Sequence, residues 1–282
     1  MYSEDTPNVA TMLNAAGYHT GLIGKLHVNP ESAFPFDYRG VPTSNFNREH
    51  GAEDYRDAAK EFWDESDDRP WFFSVNFPDA YLPFIRKTGG RSATPQTGDD
   101  VEMLPWVGAD SLRLREVMAD YYNCMARLDD WVEMLLEEFE RTGQAENTMI
   151  IYFGDHGAQF PRGKCTVFEA GLRVPLIVKW PGHMQPGSVR EELASTLDIV
   201  PTIVAATGIK SPPNLTGRPL QPLLNGETPD AWRKYVFAMT TGSFPRACFV
   251  QQSVRDDRYH LIYSPRPGTR NYQAEAYLDP NH

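Results

Sequence analysis

The chain has few cysteines, a deficit of positive charge and no long apolar run, and each shortage excludes a class of protein. Three cysteines among 282 residues, widely spaced and odd in number, form neither a disulfide framework nor a zinc-binding pattern. Lys and Arg total 27 against 38 Asp and Glu, and the net charge of −11 argues against nucleic acid as a partner. No apolar segment reaches the length of a membrane span, and residues 1–5 lack the basic and apolar parts of a signal peptide. An acidic chain can still hold a local cationic pocket for a small anion.

Apolar residues make up 41% of the chain, so a sizeable core is expected in one large domain with a small appendage. Hydrophobic periodicity predicts helices at 6–17, 54–63, 110–141 and 196–207, and strands at 19–24, 71–77, 148–153, 174–180, 235–239, 247–254 and 259–263. The strands at 148–153 and 174–180 are apolar at nearly every position, as in a parallel sheet. The last three strands have no helical pattern between them, which indicates antiparallel pairing.

These patterns predict an α/β fold with a mostly parallel sheet flanked by helices and a small C-terminal antiparallel β subdomain. We expect the α/β domain to cover residues 1–208. Residues 209–282 would form a Pro-rich segment that wraps the surface and then the β subdomain. The first helix is expected to take Thr6 as its N-cap, with Pro7 in the first turn.

The run from Phe153 to Pro175 carries the strongest chemical signal. Asp155 and His156 directly follow a predicted strand, and ligand sites in open α/β sheets lie at the carboxyl ends of strands. A carboxylate is a hard ligand suited to Ca²⁺ or Mg²⁺, and an imidazole can either ligate a cation or donate a ring N–H to an anion. Lys164, nine residues after Asp155, could neutralise an oxyanion. The residues alone also allow a polar turn followed by an exposed lysine.

Lys25 and His27 end the predicted strand that begins at His19. In extended backbone, residues i and i+2 point to the same side, so the two side chains would project together. Such a pair suits a sulfate or phosphate anion, or a leaving oxygen that needs a proton. A solvated lysine beside an incidental histidine is the alternative that local spacing leaves open.

Taken in order, these motifs resemble the sulfatase family. The stretch that ends in Gly-Lys-Leu-His at residue 27 is similar to the family's Gly-Lys-x-His strand end, and Gly-Lys at 163–164 with Glu-x-Gly-x-Arg-x-Pro at 169–175 is similar to its second lysine segment. The resemblance runs from about residue 6 to about residue 279 and implies an alkaline-phosphatase-like fold. The segments 154–164 and 253–263 further resemble heparan N-sulfatase (sulfamidase)-like members.

The resemblance implies roles for individual residues. Lys25, His27 and Lys164 would bind sulfate and assist the leaving group. Asp155 and His156 would supply half of a divalent-cation site, with Ca²⁺ expected and Mg²⁺ as the alternative. Glu169, Gly171 and Arg173 are expected to be structural residues that hold the loop against the next strand.

Tyr81 occupies the position of the histidine in the family's Pro-His-x-Pro segment. A phenol can donate a hydrogen bond, but its reference pKa of about 10 makes it a different acid from imidazole. We therefore expect Tyr81 to contact the substrate only weakly, and protonation of the leaving group is the role that this substitution places in doubt.

The family's nucleophile motif, Cys-x-Pro-Ser-Arg or its Ser or Ala variant, is absent from the sequence, as is the strand-ending Asp-Asp pair that completes the metal site. Cys124 and Arg127 form the nearest match, but the arginine is one residue too close and the pair lies inside a predicted helix. Formylglycine, the oxidised form of the nucleophile, is thus expected only in a longer protein. We expect the chain alone to be inactive, and the full-length protein to be exported to a periplasmic, extracellular or lysosomal-type compartment.

The leading hypothesis is a sulfatase-family hydrolase of sulfate esters or N-sulfo groups, with a sulfated small molecule or glycan as its partner. The second hypothesis is a non-catalytic relative that binds sulfated glycans. Tyr81 in place of histidine and the absence of the nucleophile motif favour it. A phosphoesterase of the wider alkaline phosphatase superfamily is the third.

Overall fold

A computed structural model of the chain describes residues 6–241, 249–269 and 271. The chain divides into two compact units, Met1–Met103 with Ala109–Ala145, and Leu104–Gly108 with Glu146–His282. The predicted boundary after residue 208 stays a prediction. None of the helices in the described ranges has both the length and the apolar character needed to cross a membrane.

The first unit contains a parallel sheet with helices around it. Its elements are α1 (Val9–Ala15), β1 (His19–Gly24), β2 (Tyr38–Gly40), α2 (Ala52–Ser66), β3 (Trp71–Asn76) and α3 (Leu112–Arg141). The strand order is β2-β1-β3, and β1 pairs with β3 from His19 opposite Trp71 to Gly24 opposite Asn76. Since β1 and β3 end at the same level, the residues that follow them emerge side by side.

Aromatic packing holds α2 on this sheet. The rings of Phe62 and Phe73 stack with centroids 4.2 Å apart, and Phe62 is fully buried. A Cβ at Gly21 would lie 2.5 Å from the Phe62 ring, so β1 needs a glycine at this level. Stacked aromatic pairs are worth roughly 0.5–1.5 kcal/mol beyond the area that they bury.

Two predictions about helices are corrected. The N-cap of α1 is Asn8, not Thr6, because the Asn8 side chain accepts the N–H of Thr11 at 3.1 Å while Thr11 Oγ1 accepts the N–H of Asn8 at 3.0 Å. The apolar periodicity that predicts the helix at 110–141 includes Met125 as a core-facing residue, but Met125 is exposed in α3. Ser111 caps this helix by accepting the N–H of Leu114.

The described residues of the second unit form two antiparallel sheets. Its elements are β4 (Ile150–Phe153), α4 (Glu169–Leu172), β5 (Leu176–Lys179), α5 (Ile199–Thr207), α6 (Gln221–Leu224), β6 (Val236–Thr240), β7 (Gln251–Arg255) and β8 (His260–Tyr263). The predicted antiparallel pairing of the last three strands is confirmed, and their order in the sheet is β6-β7-β8. The start of the predicted strand 247–254 lies outside the described residues.

The expectation that β4 and β5 lie in a parallel sheet is wrong. They pair antiparallel, from Ile150 opposite Lys179 to Phe153 opposite Leu176. Parallel neighbours need a crossover that returns the chain to the start of the sheet, usually through a full helix. The connection here holds only the four-residue helix α4, and the chain turns back directly. The α/β class, with a parallel sheet and a C-terminal antiparallel sheet, is confirmed.

Candidate functional site

In the first unit, the end of β3 fixes the backbone that carries Lys25. The side-chain amide of Asn76 donates to the carbonyl oxygen of Lys25 at 2.7 Å. Gly24, just before it, has a φ of +86°, and a Cβ there would lie 2.1 Å from the carbonyl oxygen of Asn76. The close approach of the ends of β1 and β3 therefore depends on a glycine at position 24 and on the amide donor of Asn76.

Lys25 lies beside a stacked pair of aromatic rings. Phe46 and Tyr81 have ring centroids 4.6 Å apart and planes inclined by 8°. The Lys25 ammonium is 4.7 Å from the centroid of Phe46 and 5.4 Å from that of Tyr81, within the range of a cation–π contact. The structure thus brings two predicted site residues, Lys25 and Tyr81, together.

Lys25 and His27 were expected to project to the same side of the chain, and this stays a prediction. The strand β1 ends at Gly24, so Lys25 and His27 lie beyond it and strand alternation does not set their directions. Lys25 is half-buried and His27 is exposed. The imidazole of His27 is therefore accessible to solvent, two residues beyond Lys25.

A buried carboxylate, Asp79, accepts hydrogen bonds from the guanidinium groups of Arg48 and Arg127. All three side chains are fully buried. Arg127 also donates to Cys124 Sγ at 3.2 Å, and burial raises the pKa of that thiol to about 12, with the charge of Asp79 adding to the effect. The Cys124–Arg127 pair is thus an internal packing element of α3, as expected for a sequence that only approximates the nucleophile motif.

In the second unit, two backbone hydrogen bonds join the start of the loop between β4 and β5 to its end. Gly154 N–H donates to Pro175 O at 3.3 Å, and Gly157 N–H donates to Gly171 O at 3.1 Å. A Cβ at Gly157 would lie 1.8 Å from a carbonyl oxygen, and one at Gly163 would lie 2.0 Å from another. The backbone approaches itself too closely there for any other residue.

Asp155 and His156 lie at the mouth of this loop. The Nδ1 atom of His156 is 2.8 Å from the carbonyl oxygen of Gly157, and a carbonyl only accepts, so Nδ1 carries the hydrogen. In the neutral ring Nε2 is then a lone-pair donor, and it lies 3.6 Å from Asp155 Oδ1. Two electron-pair donors that converge at this distance fit a bound cation.

The donor set is incomplete on its own. A carboxylate oxygen suits Ca²⁺ or Mg²⁺, whereas an imidazole nitrogen is more usual on softer ions. Within the described ranges, no three His, Cys, Asp or Glu side chains converge as a metal-binding group. Asp155 and His156 could therefore hold one side of a cation whose other ligands come from elsewhere.

Lys164 lies deeper in the same loop. Its N–H donates to Ala158 O at 2.9 Å, which fixes the backbone next to Gly163. Burial lowers the pKa of the Lys164 ammonium, while the charges of Cys165 and Asp155 oppose the shift without cancelling it. The lysine is thus a partly desolvated cation, whose attraction to an anion is stronger than that of a solvated one.

Glu169 links the loop to the C-terminal sheet. Its Oε1 accepts from Arg255 Nε and from His260 Nδ1, both at 3.0 Å. These contacts agree with the structural role expected of Glu169. The predicted site residues therefore form two groups: Lys25, His27 and Tyr81 in the first unit, and Asp155, His156 and Lys164 in the second.

Sequence reasoning missed Phe46, Asn76 and Asp79. Asn76 ends an apolar strand and Asp79 follows it. Ligand-site residues gather at such strand ends, so their position was a usable signal. Phe46 lies in an irregular loop, and nothing in its local pattern marks it.

In an α/β fold, one lysine follows a strand end and another lies in a glycine-rich loop, and lysines in such positions suit the binding of an anion. Comparison with known proteins identifies the family. A family model described as Sulfatase matches residues 3–209, and one described as N-sulphoglucosamine sulphohydrolase, C-terminal, matches residues 154–269. The chain belongs to the sulfatase family.

Two curated relatives and one solved structure illustrate the likeness. The chain is similar to N-sulphoglucosamine sulphohydrolase of Homo sapiens, at 30% identity over 90% of this chain and 56% of that protein. It is similar to an ulvan-active sulfatase of Formosa agariphila, at 27% identity over 98% of this chain and 52% of that protein. The chain thus spans about half the length of these relatives. A structure solved in complex with its substrate D-glucosamine-2-N,6-O-disulfate shares the fold, with a TM-score of 0.74 and 16% identity over 98% of this chain and 77% of that one.

Proposed function

We propose that this chain is the sulfate-binding part of a hydrolase that acts on sulfate esters or N-sulfo groups of glycans. The observation that carries the proposal is the fixed placement of Lys25, whose carbonyl oxygen is held by Asn76 and whose ammonium lies beside Tyr81. The membership in the sulfatase family and the similarity to N-sulphoglucosamine sulphohydrolase support the choice of sulfate and of a glycan.

Each predicted site residue has a role in this proposal. Lys25 and Lys164 bind sulfate oxygens through their ammonium groups, and the desolvation of Lys164 strengthens that attraction. His27 exchanges a proton with the leaving group, for which its exposed position gives access. Tyr81 donates a hydrogen bond to the bound anion.

Asp155 and His156 would hold a divalent cation, with Ca²⁺ favoured by the carboxylate and Mg²⁺ as the alternative. When bound, the ion would stabilise negative charge on the reacting sulfate. A formylglycine would supply the nucleophile, and no Cys-x-Pro-Ser-Arg sequence or variant occurs among the 282 residues. We therefore expect the chain alone to bind sulfated ligands without turning them over.

Calorimetric titration with inorganic sulfate and with N-sulfoglucosamine tests the proposal. Lys25→Ala and Lys164→Ala should each weaken binding about tenfold, which corresponds to about 1.4 kcal/mol. Lys87→Ala and Lys210→Ala remove exposed lysines, one from each unit, and serve as matched controls. Equal losses for all four variants would mean that binding follows overall charge and that the proposed site is wrong.

The non-catalytic alternative keeps the same binding site without chemistry. Tyr81, in place of the histidine expected from the resemblance, favours it. An aryl sulfatase assay of this chain, joined to any upstream segment encoded in frame, distinguishes the hydrolase from the non-catalytic binding protein. Hydrolysis would support the enzyme, and tight binding without hydrolysis would support the binding protein. Faster hydrolysis of the matching aryl phosphate would instead favour a phosphoesterase.

A further inference from the structure

The buried carboxylate of Asp79 joins three segments of the first unit that are far apart in sequence. Arg48 Nε donates to Asp79 Oδ1 at 3.0 Å from the loop before α2. Arg127 Nε donates to Oδ2 at 2.6 Å, and its Nη2 donates to Oδ1 at 3.0 Å, from the middle of α3. All three side chains have no exposed surface, so neither arginine can exchange its partner for water.

Arg48 also holds the backbone of both aromatic residues beside Lys25. Its Nη1 donates to the carbonyl oxygen of Phe46, and its Nη2 donates to the carbonyl oxygen of Tyr81 at 3.1 Å. A single planar guanidinium thus sets the spacing between the two chain segments whose rings stack. Arginine is suited to this task because its donors form a rigid fork.

The loop around Arg48 is itself fixed. Arg48 has a φ of +57° and Asn45 a φ of +49°, a region that non-glycine residues enter only when their surroundings require it. The Asn45 side chain accepts the N–H of His50 and donates to the His50 carbonyl, both at 2.9 Å. The loop is therefore closed on itself and directs Arg48 inward.

Arg127 holds the other end of the segment that carries Tyr81. Its Nη1 donates to the carbonyl oxygen of Ile85 at 2.7 Å, while its other donors hold Asp79. Residues 79–85 are thus tied to α3 at both ends. A buried ion pair contributes little net stability compared with apolar packing, whereas its hydrogen bonds fix the geometry of the segments that it joins.

We propose that Arg48, Asp79 and Arg127 are positioning residues that hold the stacked Phe46–Tyr81 ring pair beside the Lys25 ammonium. The arrangement fixes the direction from which Lys25 meets an anion, and in that respect the inference rests on the proposed function. The network acts through the two aromatic residues and does not itself touch the ligand.

Two readouts on the full chain test this inference. In the ligand-free chain, ¹³C labelling of the lysine ε-carbons reports the ring currents of Phe46 and Tyr81 on Lys25, with Lys25→Arg to assign the signal. Titration with inorganic sulfate reports the binding role. Arg48→Lys keeps the charge but removes the fork. It should move the Lys25 signal toward that of exposed Lys87 and weaken sulfate binding about tenfold.

Phe139→Leu is the control for lost stability. Phe139 is buried in the same unit and packs on Trp63 and Trp71. This variant should unfold at a lower urea concentration with the Lys25 signal unchanged. If Arg48→Lys does not unfold cooperatively, Asp79→Asn, which keeps the side-chain volume, is judged by the same two readouts.

The outcomes separate the two proposals. An unchanged Lys25 signal in the network variants would overturn the positioning role, whether or not sulfate binds. A shifted Lys25 signal in a chain that never binds sulfate would support the positioning of the rings and overturn the proposed function. A shift accompanied by weaker binding supports both.

Discussion

Asn76 donates its side-chain N–H to the carbonyl oxygen of Lys25 at 2.7 Å, so the last residue of one strand holds the first residue beyond its neighbour. The pairing of β1 with β3 ends at the same level, where Gly24 lies opposite Asn76. The placement of the proposed sulfate-binding lysine thus follows from the register of β1 with β3.

Replacing Asn76 should weaken anion binding through the backbone of Lys25. Asn76→Ala removes one partly buried hydrogen bond, and we expect a loss of about 1 kcal/mol in the free energy of unfolding. Asn76→Asp should be worse for sulfate binding, because a carboxylate would face the Lys25 carbonyl and add negative charge near the anion. Urea unfolding and sulfate titration measure the two effects. Ser74→Ala, which removes only a 3.4 Å contact to Asn76, is the control, and an equal effect there would contradict the argument.

Gly24→Ala should destabilise the chain far more than an alanine at an open glycine. Gly24 and Gly143 both have positive φ, but only Gly24 has a neighbour, the Asn76 carbonyl oxygen at 2.1 Å from the added Cβ. Gly143→Ala should cost about 1–2 kcal/mol, the penalty of the left-handed backbone alone. Gly24→Ala adds a backbone clash and should exceed that value by about 2 kcal/mol or more. Similar midpoints in chemical denaturation would show that the strand ends can move apart.

The glycine-rich loop of the second unit should be equally intolerant. A Cβ at Gly163 would lie 2.0 Å from the carbonyl oxygen of Ala158, next to Lys164, whereas one at Gly268 meets nothing within 4 Å. Gly163→Ala should therefore displace Lys164 and reduce sulfate affinity, and Gly268→Ala should leave it unchanged. Calorimetric titration with sulfate measures the affinity of both variants. Wild-type affinity in Gly163→Ala would show that this loop does not contribute to sulfate binding.

Sulfate binding should fall on the alkaline side at a lower pH than an ordinary lysine would allow. Burial lowers the pKa of Lys164, so its ammonium loses the proton earlier as pH rises. Affinity should be constant below that pKa and should decline above it, and Lys164→Arg should move the decline to higher pH. Titrations from neutral to alkaline pH measure this, with Lys87→Arg as the control. An identical decline in Lys164→Arg would assign the titration to another group.

The free energy of unfolding should rise with pH over the range in which sulfate affinity falls. The unfolded chain binds the Lys164 proton more tightly than the folded chain does, so stability rises with pH between the lowered pKa and the ordinary lysine value. This increase should be absent in Lys164→Met. Urea denaturation across that pH window separates the contribution of Lys164 from its effect on binding.

Periodicity was sufficient for the elements that depend on local pattern. The strand His19–Gly24 and the end of α3 at Arg141, just before Thr142 and Gly143, were predicted from the local sequence. The direction of β5 was not, because an apolar run reads the same in either orientation. The capping residue of α1 was misassigned since Thr6 and Asn8 both have suitable side chains, and only the contact with Thr11 distinguishes them.

The candidate site shows the same division. Lys25 and Lys164 stood out because each lies in a short motif near a strand end. The Arg48–Asp79–Arg127 network could not be found in this way, since its members come from three separate segments and carry no common spacing. Such contacts are defined by packing, which local sequence patterns do not record.

The loop between β4 and β5 leaves and returns to the sheet at a single rung, where Gly154 donates to Pro175. Its interior is bonded mostly to itself, through contacts such as Gly157 with Gly171 and Lys164 with Ala158. Glu169 adds contacts to Arg255 and His260 in the C-terminal sheet. Substitutions inside the loop that keep these contacts should therefore leave the pairing of β4 with β5 unchanged.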